Sequence, residues 1–441
     1  MWARIGLLIS GESLTQRALR GSALTMIGFG GMQAIRLGSN LILTRLLFPE
    51  VFGLMALIMV LIQGLNNLSD VGTTPAILQS KRGDDQRFLD TAFTMQAIRG
   101  LGLWLGCCAL AVPAARFYDV PELAWFLPIS GFTTVIYGLT STKLETANRH
   151  LRMGRLTLVE LVTSLIATVI TILLAFVINS AWALVIGLIL GALVKVAAAY
   201  WMLPGTNNRF RWDRDAAIEL IRFGKWILPS TIVGFTIAQG DKAILGKYLT
   251  LTELGIYNIA YFLATFPLAL GVTVISRVMI PIYRAASEEA SAQRQRRVRL
   301  LRAGLTAGFM ALVLIMAASG SWLVGLLYDP RYLEAGALVS FIAAATIPTV
   351  IGLSYDQAAL AAGDSRGFFW LTLLRAILFV SLFLIGVHYG GIKGALAGQA
   401  LASVLSYPFL ARIAHRHGAW DWVHDVVFAL LGAAMAVWLL F

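Results

Sequence analysis

"LTRLLFPEVFGLMALIMVL" (Leu43–Leu61) and "LGKYLTLTELGIYNIAYFL" (Leu245–Leu263) place Arg45 on Lys247, Leu47 on Leu249 and Gly53 on Gly255, a constant offset of 202 positions. Both stretches close one apolar run, turn tightly and open another. An offset near half of the 441-residue chain, with glycine, charge and turn coinciding, implies two halves of one architecture. Both halves start on the same side, so they are parallel repeats related by an axis along the membrane normal.

The composition says what solvent those halves face. The chain is 58% hydrophobic and 13% charged, about half the charge of an ordinary soluble domain. Apolar runs long enough to cross a hydrocarbon core recur throughout, and they do not alternate as barrel strands do. The reading is an all-α polytopic membrane protein. Spans are expected near 19–47, 51–77, 89–113, 122–142, 156–178 and 181–203. A second series follows near 219–248, 253–281, 301–327, 335–361, 368–388 and 391–412, with a final run near 423–441. The domains are then a 1–18 N-terminal segment, a 19–203 N-lobe of six spans, a 204–218 basic linker, a 219–412 C-lobe of six spans, and a 413–441 loop with an extra helix.

Charge sets the orientation. Lys81, Arg82, Arg87, Lys143, Arg149, Arg209, Arg211, Arg297 and Arg412 fall in one set of breaks, whereas the alternate breaks hold little beyond Arg116, Arg331 and Lys393. By the positive-inside rule the basic breaks and the N-terminus are cytoplasmic. The net charge of +12 is mostly this bias, so no nucleic-acid partner is inferred. Cys107 and Cys108 are neighbours in an apolar run and read as core residues; the five histidines are scattered. No metal site or cofactor is therefore expected. The N-terminal segment shows no cleavage site, and no phosphate-binding glycine loop suggests direct nucleotide use.

"TRLLFPEVFGLMAL", "LSDVGTTPAILQ" (Leu68–Gln79), "QGDKAILGKYLTLTELGIYNIAY" (Gln239–Tyr261), "AAGDSRG" (Ala361–Gly367) and "GGIKGALAGQ" (Gly390–Gln399) occur in that order. Together they resemble the polysaccharide-transporter branch, the Wzx-type flippases, of the multidrug/oligosaccharidyl-lipid/polysaccharide exporter superfamily. The resemblance implies a V-shaped pair of pseudo-symmetric six-helix lobes. It also implies flipping of undecaprenyl-diphosphate-linked oligosaccharide across a bacterial inner membrane by alternating access, for exopolysaccharide, capsule or O-antigen assembly. Members of that branch commonly carry one span more, so the last helix has no inherited role here.

The candidate site starts from the first span. Ser22, Thr25, Phe29, Gln33, Arg36, Asn40 and Thr44 fall within an arc of about 100° on a helix. An arginine at mid-bilayer costs roughly 2.5–3.5 kcal/mol and normally faces protein or water. Gln33, Arg36 and Asn40 are therefore candidate substrate groups. Under the 202-residue offset Asn40 corresponds to Lys242, which joins them with Arg99 and Arg375. Lys195 and Arg277 read instead as snorkelling to the cytoplasmic interface. Asp241, Asp356 and Asp70 are candidates for ion coupling or charge pairing, although Asp70, like Glu160, sits nearer a span end. Arg45 and Lys247, at the outer ends of equivalent spans, are candidate gate residues. "GFGG" at Gly28–Gly31, with Pro229, Pro267 and Pro348, supplies candidate pivots.

A cationic interior suits an anionic cargo, because guanidinium binds phosphate through bidentate, charge-assisted hydrogen bonds. The expected partners are a lipid-linked anionic oligosaccharide and membrane lipids, with a glycan polymerase or glycosyltransferases as neighbours. A lipid II flippase is chemically close. A cation-coupled multidrug exporter would need an acidic cavity. A membrane polysaccharide polymerase or ligase would need a large outer loop or a carboxylate cluster, and neither is seen, so no enzyme is expected.

Overall fold

The computed structural model describes residues 14–70, 72–288 and 292–440. Among them all regular structure is helical, and the chain forms two compact units, Met1–Ile232 and Val233–Phe441.

The first unit holds α1 (Leu14–Leu46), α2 (Pro49–Leu68), α3 (Thr73–Gln79), α4 (Gln86–Tyr118), α5 (Leu123–Gly138), α6 (Lys143–Arg149), α7 (Met153–Ile178) and α8 (Ala181–Trp201). α1 packs along α7. A Cβ on Gly28 or Gly31 would run into Thr157 or Leu161, so these glycines let two helices approach closely. The run expected as a pivot is a packing seam. α2 opens on Pro49 and Glu50, a proline that needs no hydrogen bond there and an acid at the positive end of the helix dipole.

The run expected at 51–77 is broken after Leu68. Asp70 takes the Gly72 amide at 2.9 Å, and Gly72 adopts the left-handed conformation, a turn that ends one helix before α3 begins. α4 and α5 form a hairpin through left-handed Asp119, and α7 and α8 another through Asn179. Between the hairpins α6 bends away from α5 by 58°.

Next comes α9 (Arg214–Tyr248), within which the division between the units falls. Its first part belongs to the first unit: Ser80 Oγ donates to Glu219 at 2.6 Å and Thr231 Oγ1 to the Asn67 carbonyl at 3.1 Å. The second unit continues with α10 (Leu251–Ala264), α11 (Phe266–Glu288), α12 (Ala292–Leu327), α13 (Ala335–Gly352), α14 (Tyr355–Ala361), α15 (Ser365–Arg416) and α16 (Trp422–Leu440). α10 starts from a reciprocal Thr250–Glu253 cap, doing with two side chains what Pro49 does in the first lobe.

Two runs expected as single helices are divided here as well, 253–281 at Thr265 and 335–361 at Leu353. α15 contains two of the expected spans. Non-helical Gly390 and Gly391 turn the chain, and a Cβ on Gly386 would strike the Gly394 carbonyl oxygen, so the arms return in backbone contact.

The repeat is legible element by element. α2 and α10 start 202 positions apart, but α5 and α13, α6 and α14, and α7 and α15 each start 212 apart. Ten extra residues therefore enter the second lobe before its fourth span. Among the described residues eight helices are long and apolar enough to cross a bilayer, or nine if the bent α5–α6 pair is one span, with both α15 arms counted in one of them.

Candidate functional site

The first lobe contains a cavity of about 530 Å³ between α1, α2, α5, α7 and α8. α7 gives it Glu160, Ser164, Thr168 and Thr171, whose spacing of four, four and three keeps them on one helix face. Lys195 of α8 also lines the cavity, its Nζ 5.8 Å from the centre of the Tyr137 ring. This differs from the snorkelling expected from sequence: α8 runs six residues beyond Lys195, and the ammonium stays over an aromatic face. Glu160 likewise lies seven residues inside α7. A carboxylate, an ammonium and several hydroxyls facing one space can hydrogen-bond a polyhydroxylated or zwitterionic ligand.

α1 contributes Met32 and Ser39 to that lining. At 100° per residue, the Met32/Ser39 face and the Gln33/Asn40 face stand roughly 100° apart, with Arg36 between them. Arg36 is exposed on the surface of its unit, and Gln33 and Asn40 are half-buried. Thr44, at the end of the stripe, is buried and donates back to the Asn40 carbonyl at 2.8 Å.

The remaining sequence-derived residues fall into separate settings. Arg99 of α4 reaches the C-terminal end of α2, donating from Nη2 to the Asn66 carbonyl at 2.7 Å and from Nε to Ser69 Oγ at 3.0 Å. A cation there meets the negative end of the helix dipole. Asp70 lies near this guanidinium and holds the Gly72 turn. Arg45 and Lys247 occupy the last turns of α1 and α9, both exposed.

In the second lobe Asp241 is only 2% exposed and accepts from Tyr257 Oη at 2.8 Å. Next to it, Lys242 donates to Gln239 at 3.3 Å and lies 4.8 Å from the Tyr261 ring centre. Arg375 and Asp356, expected as separate groups, meet in an ion pair at 2.9 Å.

One cluster lay outside the sequence reading. Asp425 at the start of α16 is 4% exposed. It accepts from Tyr355 Oη at 2.8 Å and from Tyr407 Oη, and it contacts His424 Nδ1 at 2.7 Å. His424 Nε2 meets Thr306 Oγ1 at 3.0 Å. Nearby, Arg302 binds the Ala419 carbonyl and, at 2.9 Å, Asp421. These contacts tie α16 and the turn before it to α12, α14 and α15. The signal in sequence was an adjacent histidine and aspartate opening an apolar run.

Comparison with known proteins accounts for the architecture. A family described as polysaccharide biosynthesis protein matches residues 42–337. The succinoglycan biosynthesis transport protein ExoT of Rhizobium meliloti is 22% identical over 80% of this chain and 70% of its own. The lipopolysaccharide biosynthesis protein WzxC of Escherichia coli is 22% identical over 90% of this chain and 81% of its own. Among solved structures, the inward closed lipid II flippase MurJ superposes with a TM-score of 0.71 at 10% identity, covering 94% of this chain and 92% of that one. An inward-facing MATE family multidrug transporter gives 0.64 at 15%, covering 92% and 95%. At such identities the structures speak for the fold alone, and the family match speaks for membership. The chain belongs to the polysaccharide biosynthesis protein family, and it has the multi-helical membrane fold of solved transporters of the multidrug/oligosaccharidyl-lipid/polysaccharide exporter superfamily.

Proposed function

We propose that the protein flips an undecaprenyl-diphosphate-linked oligosaccharide across the bacterial inner membrane, by alternating access of its two lobes. The observation that carries this reading is the hydroxyl-lined cavity of the first lobe, with Arg36 exposed on the α1 face next to the one that lines it. The diphosphate presents acceptor oxygens to the guanidinium, and the sugar presents hydroxyls to Ser39, Ser164, Thr168 and Thr171. The relatives' names, a succinoglycan transport protein and a lipopolysaccharide biosynthesis protein, support a glycan cargo. In the first lobe Gln33 and Asn40 extend this polar face, in the second Lys242 supplies a polar group of its own, and Arg45 and Lys247 are the gate residues of their respective lobes. The Arg375–Asp356 pair and the Arg99 contacts make those two arginines supports of the lobes.

The test is export per folded protein. Arg36→Ala should reduce it by about a hundredfold, the loss expected of a charge-assisted pair worth about 3 kcal/mol. Arg36→Lys should restore part, because it keeps charge without the planar fork. Normal export by well-folded Arg36→Ala and Lys242→Ala proteins would remove the cationic route. We also propose a cytoplasmic N-terminus: reporter fusions at Asn207 and Gln293 should read cytoplasm, and those at Asp119 and Asp329 periplasm, whereas the reverse pattern would invert the topology.

A further inference from the structure

At one end of the second lobe, the end of α11, the start of α12, the end of α14 and the end of α15 enclose a pocket of about 360 Å³. Its polar lining is Tyr283, Gln295, Arg299, Arg302, Arg416 and His417. Arg302 is 1% exposed, and although it binds Ala419 and Asp421, its Nε is buried without a hydrogen-bond partner. The Tyr283 hydroxyl, close beside Arg302 and Ser354, likewise forms no well-aligned hydrogen bond. Arg299 and Arg416 stand exposed at the rim. Two carboxylates oppose these bases: Asp421, within 3.8 Å of Arg299 and 2.9 Å of Arg302, and Asp364, 3.1 Å from His417.

Three arginines against two carboxylates leave a cationic surplus, and arginine and tyrosine hydroxyl are donors able to serve an acceptor-rich ligand. A buried donor without a partner is costly and uncommon. A tetrahedral anion with several oxygens can meet the guanidinium forks and the tyrosine together. The geometry points to a phosphate-binding site in the second lobe, separate from the Arg36 cavity. The phosphate belongs either to an anionic phospholipid headgroup or to a soluble phosphate. The site sits where α12 begins and α15 ends, beside breaks that carry the basic bias of the sequence, and such basic faces attract anionic lipid.

The test uses the full-length protein in phosphatidylcholine nanodiscs, alone or doped with phosphatidylglycerol. Lipid retention is read by native mass spectrometry, and inorganic phosphate is titrated into the undoped discs with thermal unfolding as readout. Arg299→Gln combined with Arg416→Gln should weaken retention of phosphatidylglycerol, or stabilisation by phosphate, on the order of tenfold. Arg412→Gln, exposed one turn away and outside the lining, should behave as wild type. An effect confined to phosphatidylglycerol assigns the site to lipid; one seen with inorganic phosphate assigns it to a soluble anion. The two single variants, each expected to lose part of the effect, keep the test open if the pair destabilises the lobe. Equal behaviour of wild type and variants in both arms overturns the proposal. Binding is read without transport, so that failure would leave the flippase reading standing.

Discussion

Ser39 and Asp241 occupy equivalent positions in the two lobes, 202 residues apart, yet their surroundings are opposite. Ser39 opens into a polar cavity; Asp241 is sealed beneath the Tyr257 hydroxyl. The contrast extends to other charges. In the first lobe Glu160 and Lys195 share a cavity, and neither has an ion pair among the described residues. In the second, Asp356 is tied to Arg375, Arg302 to Asp421, and Asp425 is held by two tyrosines and a histidine. The first repeat ties Arg99 and Arg149 internally as well, but it leaves Glu160 and Lys195 facing a cavity. The second commits its paired groups to internal cohesion, where a satisfied buried network rigidifies its surroundings.

The sharpest way to break this contrast is to remove one acid from each lobe. Asp425→Ala leaves Tyr355, Tyr407 and His424 facing a void, and should lower stability by about 3–5 kcal/mol. Glu160→Gln should stay within about 0.5 kcal/mol of wild type while impairing export. Thermal unfolding of the two purified variants decides, and equal losses would erase the distinction.

A smaller effect separates the helix pairs. Gly386→Ala sets a methyl against the Gly394 backbone, which has nowhere to move, and should cost about 1–3 kcal/mol. Gly106→Ala in the first lobe makes only ordinary contact with the Leu65 methyls at 3.6 Å. It should be neutral or stabilise by up to about 1 kcal/mol. Matching unfolding midpoints for the two would show that the α15 arms separate more readily than their glycines suggest.

The smallest effect concerns a feature the lobes share. Asp85 caps α4 through the Arg87 amide, and Asp364 caps α15 through the Gly367 amide. Those backbone hydrogen bonds, chiefly, hold both carboxyls below the usual carboxylate range. A depressed folded-state pKa stabilises above the unfolded value, and that stabilisation is lost as pH falls through the folded one. Asp364→Ala should therefore cost about 1 kcal/mol at neutral pH. Its difference from wild type should start to shrink as pH falls below about 4 and vanish only below the depressed folded-state value, and a difference that persisted there would argue against capping by the ionised form.

Much of the helix count could be read from apolar runs, because each run must satisfy its own backbone inside a bilayer. The breaks could not. The turn at Gly72 depends on Asp70 and on Ile227, against which a Cβ at Gly72 would collide, and no local pattern reveals a partner 155 positions away. Arg375 and Asp356 were each visible as charges at depth, but their pairing depends on how α14 folds back on α15. Arg99 bonds the Asn66 carbonyl and Ser69 Oγ, and a backbone carbonyl carries no sequence signature. The Glu160–Thr171 stripe was open to the same periodic reading that found Arg36. Its serine and threonines carry little signal, because hydroxyls are common in membrane helices, where they donate back to their own backbone, as Thr171 does to Ala167.

α16 brings a consequence for any shortened form of this chain. Its outer face, with Val426, Leu430, Leu431 and Val437 exposed, is ordinary lipid-facing helix; its first turn is where Asp425 and His424 meet the rest of the lobe. A chain ending at Arg416 would still contain every helix of the two lobes up to the end of α15. It would also carry Arg302, Thr306, Tyr355 and Tyr407 with their partners gone, each a buried polar group left unsatisfied. By span count the helix is surplus. By hydrogen bonding, it completes the partners of polar groups that the rest of the lobe buries.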